Sequence, residues 1–367
     1  MESYSGKVVI QQRVLPSYRA SLFEEIADRC PNGFSLFVGE PREEEAIKTA
    51  TSLTSGRLVK ADNQHFFRGK YYFCKQKGFV EMLEDFQPDA LIIEANPRNI
   101  STPSAINWMH AHGKKVSGWG LGAPPINGLF TNFRKNRRQK LYASLDSIVS
   151  YSQRGADEYR SMGFPKNKIF VAYNAAAPAP KGSLPKKPIQ FNGPPAILFV
   201  GRLQSRKRLD LLFKACAAQK DSPKLIIVGD GPAKTEAVAQ AQAEYPAAIF
   251  VGAKHGKDLA EYYQQADLFV LPGTGGLAIQ QAMANGLPVI VAQGDGTQDD
   301  LVRPENGWLL PPNDLDSLTN TLSDALSDAG RLRVMGKESY RITKEEINLD
   351  KMVDVFINML NQTHKVK

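Results

Sequence analysis

Residues 266–292 read ADLFVLPGTGGLAIQQAMANGLPVIVA, and this stretch narrows what the chain can fold into. Leu268–Leu271 is a four-residue apolar run bounded by Asp267 and Pro272, short for a helix, so it reads as a buried strand. Gly273, Gly275 and Gly276 then make a turn, Leu277–Asn285 has the length and composition of a helix, and Asn285-Gly286 stops it before a second apolar run, Val289–Ala292. Two strands joined through a helix pair in parallel, and parallel strands need helices over both faces.

The same alternation runs along the whole chain. In the first half strands are expected at Lys7–Gln11, Phe34–Val38, Ala90–Glu94, Lys115–Trp119, Ser147–Tyr151 and Lys168–Ala172, with helices at Arg19–Arg29 and Ser104–His112. In the second half strands are expected at Ala196–Val200, Lys224–Val228, Ala248–Val251, Leu268–Leu271 and Val289–Ala292. The helices there are Arg208–Ala218, Ala233–Glu244, Asp258–Gln264, Leu277–Asn285 and Leu315–Asp328. A chain of 367 residues is longer than one core usually sustains, so two domains follow. Between them, AAAPAPKGSLPKKPIQFNGPP is rich in proline and glycine without periodicity and reads as a linker. The expectation is therefore an α/β protein of two doubly wound, Rossmann-like domains facing across a cleft. Residues 1–175 make the first, 176–195 the linker and 196–346 the second. An amphipathic terminal helix within 347–367 completes the first domain.

The glycine turn also carries chemistry. Without Cβ atoms, backbone N–H groups can close on an anion, and the following helix adds unpaired donors and the positive end of its dipole. A tight turn with no ligand can have the same sequence, so its neighbours matter. Ala196–Val200 runs into GRLQSRK, with Arg202 and Lys207 at the carboxyl end of that strand. Two cations beside an amide nest can neutralise a diphosphate, whose charge grows as it departs. The formal charge of +8 fits an anionic partner. No helix-turn-helix, zinc-finger or aromatic-basic sheet signature is present, which argues against nucleic acid. No apolar stretch reaches bilayer-spanning length, and Met1-Glu2-Ser3 opens without the basic region and apolar core of a secretory signal, so a cytoplasmic protein is expected. Cys30, Cys74 and Cys216 are widely spaced and read as buried thiols, and no carboxylate or histidine cluster has metal-ligand spacing.

Five ordered segments, ILFVGRLQSRKRLDLLFKA, LIIVGDGP, IFVGAKHGKDLAEYYQQADLFVLPG, GLAIQQAMANGLPVIV and ENGWLLPPND, resemble the carboxyl-terminal domain of family-four retaining glycosyltransferases of the GT-B fold. The resemblance covers roughly 195–329, and the first half is similar to the family's acceptor domain only loosely, through YRASLFEEIA, ALIIEANPRN and SIVSYSQRGADEYRSMGFPKNKIFVAYN. It implies that Arg202 and Lys207 stabilise the leaving diphosphate of a UDP- or GDP-sugar. Backbone donors around Gly201, Gly275, Gly276 and Leu277 hold the donor. Ala253 and Lys254 flank the base, Thr297 adds to the donor site, and Gln281 stands where the family carries a ribose-binding glutamate. Asp299-Asp300 are adjacent, unlike the spaced pair of metal-binding glycosyltransferases of the other main fold, so no metal or cofactor is implied.

The chain also departs from the family pattern. Of its two glutamates separated by seven residues, neither is present: Gly273 and Gln281 occupy the positions. The loop after the first strand is RVLPSYR rather than glycine-rich, and Trp119-Gly120-Leu121-Gly122 stands where relatives place a histidine. Tyr18, Arg19, Asn96 and Arg98 are acceptor-side candidates, with Tyr18 and Arg19 open to a purely structural reading. His110 and His112 read as cap or surface residues. Phe130–Tyr142, FTNFRKNRRQKLY, is basic without an acid, and reads either as a surface that lies on an anionic membrane or as a solvated helix with its apolar side inward. The resulting expectation is a metal-independent, retaining hexosyltransferase acting on a glycan or lipid-linked acceptor, cytoplasmic and peripheral at the inner face of a membrane. A nucleotide-sugar epimerase of the same fold and a binding-only relative are the alternatives.

Overall fold

In β1 (Val8–Gln12), Val8 and Ile10 belong to one hydrophobic core and Val9 to another, because a strand buried on both faces must send alternate side chains to opposite sides. The structure, a computed structural model, describes residues 2–45 and 47–365. Met1, Ala46 and 366–367, among them the outermost residues of the expected first domain and terminal helix, lie outside the described residues. Two compact units divide the chain: residues 1–176 with 349–367, and 177–348.

The first unit follows β1 with α1 (Ala20–Asp28), β2 (Phe34–Gly39), β3 (Arg57–Phe66), β4 (Phe73–Lys77), α2 (Phe79–Phe86) and β5 (Ala90–Glu94). Then come α3 (Thr102–Ala111), β6 (Lys115–Gly120), α4 (Thr131–Ala143), β7 (Ser147–Ser150), α5 (Gln153–Ser161) and β8 (Ile169–Val171). Its sheet runs β4-β3-β2-β1-β5-β6-β7-β8, and the pairs are parallel except β3 with β4. One face is covered by α1, whose Leu22, Phe23, Ile26 and Ala27 are buried, and the other by α2 and α3 through residues such as Leu83 and Met109.

The second unit contains β9 (Ala196–Val200), α6 (Leu209–Ala217), β10 (Lys224–Val228), α7 (Lys234–Glu244), β11 (Ile249–Gly252), α8 (Gly256–Gln265) and β12 (Leu268–Leu271). It continues through α9 (Leu277–Ala284), β13 (Val289–Ala292), α10 (Thr297–Leu301), β14 (Gly307–Leu310), α11 (Leu315–Leu326) and α12 (Ala329–Glu345). The sheet order is β11-β10-β9-β12-β13-β14, all parallel. Strand order therefore reverses between β9 and β12, the place where open parallel sheets accept ligands at their carboxyl edge. The final helix, α13 (Leu349–Thr363), buries Met352, Val353, Phe356 and Leu360 in the core that α1 covers, so the terminal helix completes the first unit.

Three expectations need correction. The proline-rich segment is not a free linker, because residues 177–195 pack on the second unit. Lys187 donates to the carbonyls of Tyr263 at 3.2 Å, Gln264 at 2.9 Å and Ala266 at 2.5 Å, capping the carboxyl end of α8, where carbonyls lack helical partners. The helix expected over 315–328 stops at Leu326: the Asp328 carboxylate accepts from Arg331 N at 2.9 Å and starts α12 as a separate helix. Finally, β3, β4 and β14 lie outside the expected strand set, and the β3–β4 pair adds an antiparallel edge to a sheet expected to be parallel.

Candidate functional site

At the β9/β12 switch, backbone meets backbone. Leu203 N donates to Asp230 O at 2.9 Å, Gly229 N to Gly252 O at 2.9 Å, and Thr274 N to Arg206 O at 3.1 Å, which stitches the loops after β9, β10, β11 and β12 into one floor. Gly273 is required there, since a Cβ on it would stand 2.6 Å from the carbonyl carbon and 2.7 Å from the Cα of Lys207. Gly229 is likewise pressed against Gly201, where a Cβ would overlap the carbonyl oxygen.

Lys207 is buried, and its ammonium donates to Thr274 O at 2.6 Å, so close to Gly275 that a Cβ there would overlap Nζ. Burial, and then the neighbouring Arg206 cation, pull its pKa down to about 8. No acidic group contributes to that shift. A desolvated cation without a facing carboxylate is stabilised by an incoming anion, and the amides of Gly275 and Gly276 at the uncapped start of α9 are adjacent donors. Arg206 is exposed and bonds Gln204 Oε1 at 2.9 Å and Thr274 Oγ1 at 3.2 Å. Arg202 is exposed on the same loop, next to Gly201.

The other donor-side residues surround this turn. Thr297 is buried, with its hydroxyl donating to Asp295 Oδ1 at 2.6 Å, and lies against Gly276. Its neighbour Gln298 donates through Nε2 to Gly275 O at 3.1 Å, leaving a buried Oε1 without a hydrogen-bond partner. Gln281 is exposed on α9 and its Oε1 accepts from the Tyr263 hydroxyl at 3.3 Å. Ala253 and Lys254 follow β11, beyond Gly252. Tyr263 and Gln298 were not among the expected site residues: both are buried, and nothing in their local sequence marks them as polar anchors.

The first unit holds a cavity of about 1230 Å³ at the carboxyl ends of β1, β5 and β6. Asn96 and Arg98 line it; Tyr18 and Arg19 do not. Arg19 is buried, donating to Ala175 O at 3.0 Å and to Asn174 Oδ1, with its guanidinium over the Tyr151 ring, so its side chain braces the end of the first unit and is not available to an acceptor. Tyr18 is exposed beside it. Trp119 forms part of the cavity wall, as does Glu94, which accepts from Arg13 N at 2.8 Å and from Asn99 Nδ2 at 2.9 Å. In α4 the two readings of the basic stretch divide: Arg138, Leu141 and Tyr142 are buried, whereas Phe130 and Phe133 are 70% and 59% exposed. His110 contacts Asp146 and His112 caps α3, both at the surface. The three cysteines are free and buried. Among the described residues, no group of three or more His, Cys, Asp or Glu could hold a metal ion, and no helix is long and apolar enough to cross a membrane.

Residues 181–342 match the family model described as glycosyl transferases group 1. A GDP-mannose-dependent alpha-mannosyltransferase of Mycobacterium tuberculosis is 35% identical over 154 residues, 41% of this chain and 38% of that protein. The sulfoquinovosyl transferase SQD2 of Arabidopsis thaliana is 31% identical over 159 residues, 41% of this chain and 30% of that protein. The alignments thus span less than half the length of either relative. Among solved structures, a lipopolysaccharide outer core galactosyltransferase, WaaB, superposes with a TM-score of 0.69 at 17% identity, covering 97% of this chain and 99% of its own. Anabaena Alr3699/HepE in complex with UDP gives 0.71 at 14%, covering 97% and 100%. At those identities the likeness concerns the fold, two α/β parallel-sheet domains of the GT-B type.

Proposed function

We propose that this chain, a GT-B protein whose second unit belongs to the group 1 glycosyl transferases, moves a hexose from a nucleotide diphosphate sugar to an acceptor with retention of configuration. The observation that carries the reading is the Lys207 ammonium held against Thr274 O over the Gly275 turn, at the sheet's switch point. In this reading Lys207 and Arg202 meet the charge growing on the leaving diphosphate, the part a metal ion plays elsewhere. The amides of Gly275, Gly276 and Leu277 hold the distal phosphate or sugar, Gln281 takes the ribose, Ala253 and Lys254 flank the base, and Thr297 orders the turn. The relatives include one named as GDP-mannose-dependent and a structural neighbour solved with UDP, so both nucleotides are candidates.

The acceptor, a glycan or a lipid-linked glycan, belongs in the first unit beside Asn96 and Arg98. The protein works in the cytoplasm, with the exposed Phe130 and Phe133 of the basic 130–142 segment resting on the inner face of an anionic membrane. The test is a panel of UDP- and GDP-sugars: the true donor raises the melting temperature and is consumed with release of free nucleotide diphosphate. Interconversion of the sugar without nucleotide release would mark an epimerase. Binding without any turnover would mark a non-catalytic relative.

A further inference from the structure

The cavity of the first unit has a composition that specifies its occupant. Arg68, Arg98, Arg134, Arg137 and Arg138 line it, and among the described residues none of the five forms an ion pair. Arg137 donates to Pro97 O at 2.6 Å and Arg138 to Pro124 O at 2.6 Å, so backbone carbonyls hold these guanidinium groups without neutralising them. Burial lowers the pKa of Arg137. Arg138 is 9% exposed and its Nε is buried without a hydrogen-bond partner, as is Nε1 of Trp119, 2% exposed in the same wall. Buried donors without acceptors are costly, and an anionic ligand supplies what they lack.

Most of the remaining lining is apolar or aromatic, and two of its aromatic residues stand in a backbone region that bulky side chains avoid. Phe67 and Phe130 have φ of 57° and 58°, and are 74% and 70% exposed where they line the cavity. A left-handed backbone at a bulky residue is strained, and the gain that offsets it is not burial in this protein's own core. Phe133 and Leu121, also lining the cavity, are 59% and 48% exposed.

We infer that the cavity takes an anionic amphiphile, a phosphate ester of a long apolar alcohol. Its phosphate lies among Arg98, Arg137 and Arg138, and its apolar chain leaves past Phe67, Phe130 and Phe133. This deepens the proposed function by naming the chemical class of the acceptor, and it rests on that reading only for the further claim that the bound molecule is glycosylated. Five arginines without an ion pair against one lining carboxylate, that of Glu94, itself fixed by Arg13 N and Asn99, set the sign of the ligand's charge; the sixth lining arginine, Arg13, is paired with Glu45.

Calorimetric titration of the whole protein with monomeric decyl phosphate, 1-decanol and inorganic phosphate tests it. Decyl phosphate should bind at least about tenfold tighter than either of the others, since each lacks one half of the recognition. Inorganic phosphate binding equally well would overturn the apolar seat, and decanol binding equally well would overturn the anion seat. Arg98→Ala and Phe67→Ser, at accessible positions, should each weaken decyl phosphate by about threefold or more, and wild-type affinity in both would remove the cavity from the account. Flotation with phosphatidylcholine vesicles carrying a polyprenyl phosphate, but not with plain ones, assigns a membrane source. Decyl phosphate binding without flotation assigns a soluble source. Titration with UDP and GDP keeps the two readings apart: nucleotide binding without decyl phosphate binding defeats this inference alone, and the reverse defeats the donor reading alone.

Discussion

Gly273 lies so close to the backbone of Lys207 that a Cβ built on it would stand 2.7 Å from the Lys207 Cα. The family's glutamate therefore cannot be grafted onto this loop without moving it. Gly273→Glu should lower the melting temperature, by a loss of about 2 kcal/mol or more, and abolish nucleotide binding. Gly273→Ala should do so in the same direction. Unchanged melting with faster turnover in the glutamate variant would show that the loop has room for that side chain.

Lys207 gives two pH profiles of opposite sign. Burial puts its folded pKa at about 8, below the ordinary lysine value, so between those limits the unfolded chain holds more protons and folding stability rises with pH. In the same window the ammonium is lost, so kcat/KM for the donor should fall as pH rises through about 8. Lys207→Ala should reduce turnover at least about 100-fold at neutral pH and remove that limb. Turnover within about threefold of wild type would take Lys207 out of the reaction.

Gln281 and Tyr263 share a hydrogen bond of 3.3 Å. Gln281→Glu should keep or tighten nucleotide affinity, because the hydroxyl has an acceptor in either case and a carboxylate accepts more strongly from ribose. Tyr263→Phe should cost about 1 kcal/mol of affinity by freeing the side chain it orients. Titration calorimetry reads both, and a large loss in Gln281→Glu would contradict the placement at the ribose.

The end of α13 is held by a buried histidine. His364 Nε2 lies 2.7 Å from Ser117 Oγ, and Tyr4 donates its hydroxyl to His364 O at 2.8 Å. Burial brings the imidazole down to about 4, with Asp146 opposing and Lys115 adding to the shift. The folded pKa lies below the unfolded one, so stability is complete above about 6.5 and declines as pH falls toward 4, by about 3 kcal/mol in all. His364→Leu should flatten that decline in melting temperature, and an unaltered acid profile would assign the sensitivity elsewhere.

What the sequence disclosed followed from how each element is buried. Ala90–Glu94, Ala196–Val200, Lys224–Val228, Leu268–Leu271 and Val289–Ala292 coincide residue for residue with observed strands, because a fully buried parallel strand is an uninterrupted apolar run between turn residues. β3, RLVKADNQHF, is half exposed beside the sheet edge and lacks that run, and β14, GWLL, opens on a glycine and lies among polar and proline residues. Lys187 could not be read as a helix cap, since its partners at 263–266 are distant in sequence. The glycine turn and Lys207 were legible as a pair because each lies in the loop that follows an apolar strand. The cavity of the first unit was not, because its walls come from loops after several strands and from α4, and only the fold gathers Arg98, Trp119 and Arg137. Arg19 misled for the complementary reason: a Tyr-Arg pair at a helix start is silent about Asn174 and Ala175, far along the chain.

In the proposed function the Lys207–Gly275 turn grips a nucleotide diphosphate. Calorimetric titration of UDP and GDP into wild-type protein and Lys207→Ala measures it directly. One of the two nucleotides should bind the wild type at a single site and bind the variant at least about tenfold more weakly, the loss of one charge-assisted contact. Equal affinity for wild type and variant, or no binding of either nucleotide to the wild type, would contradict the account.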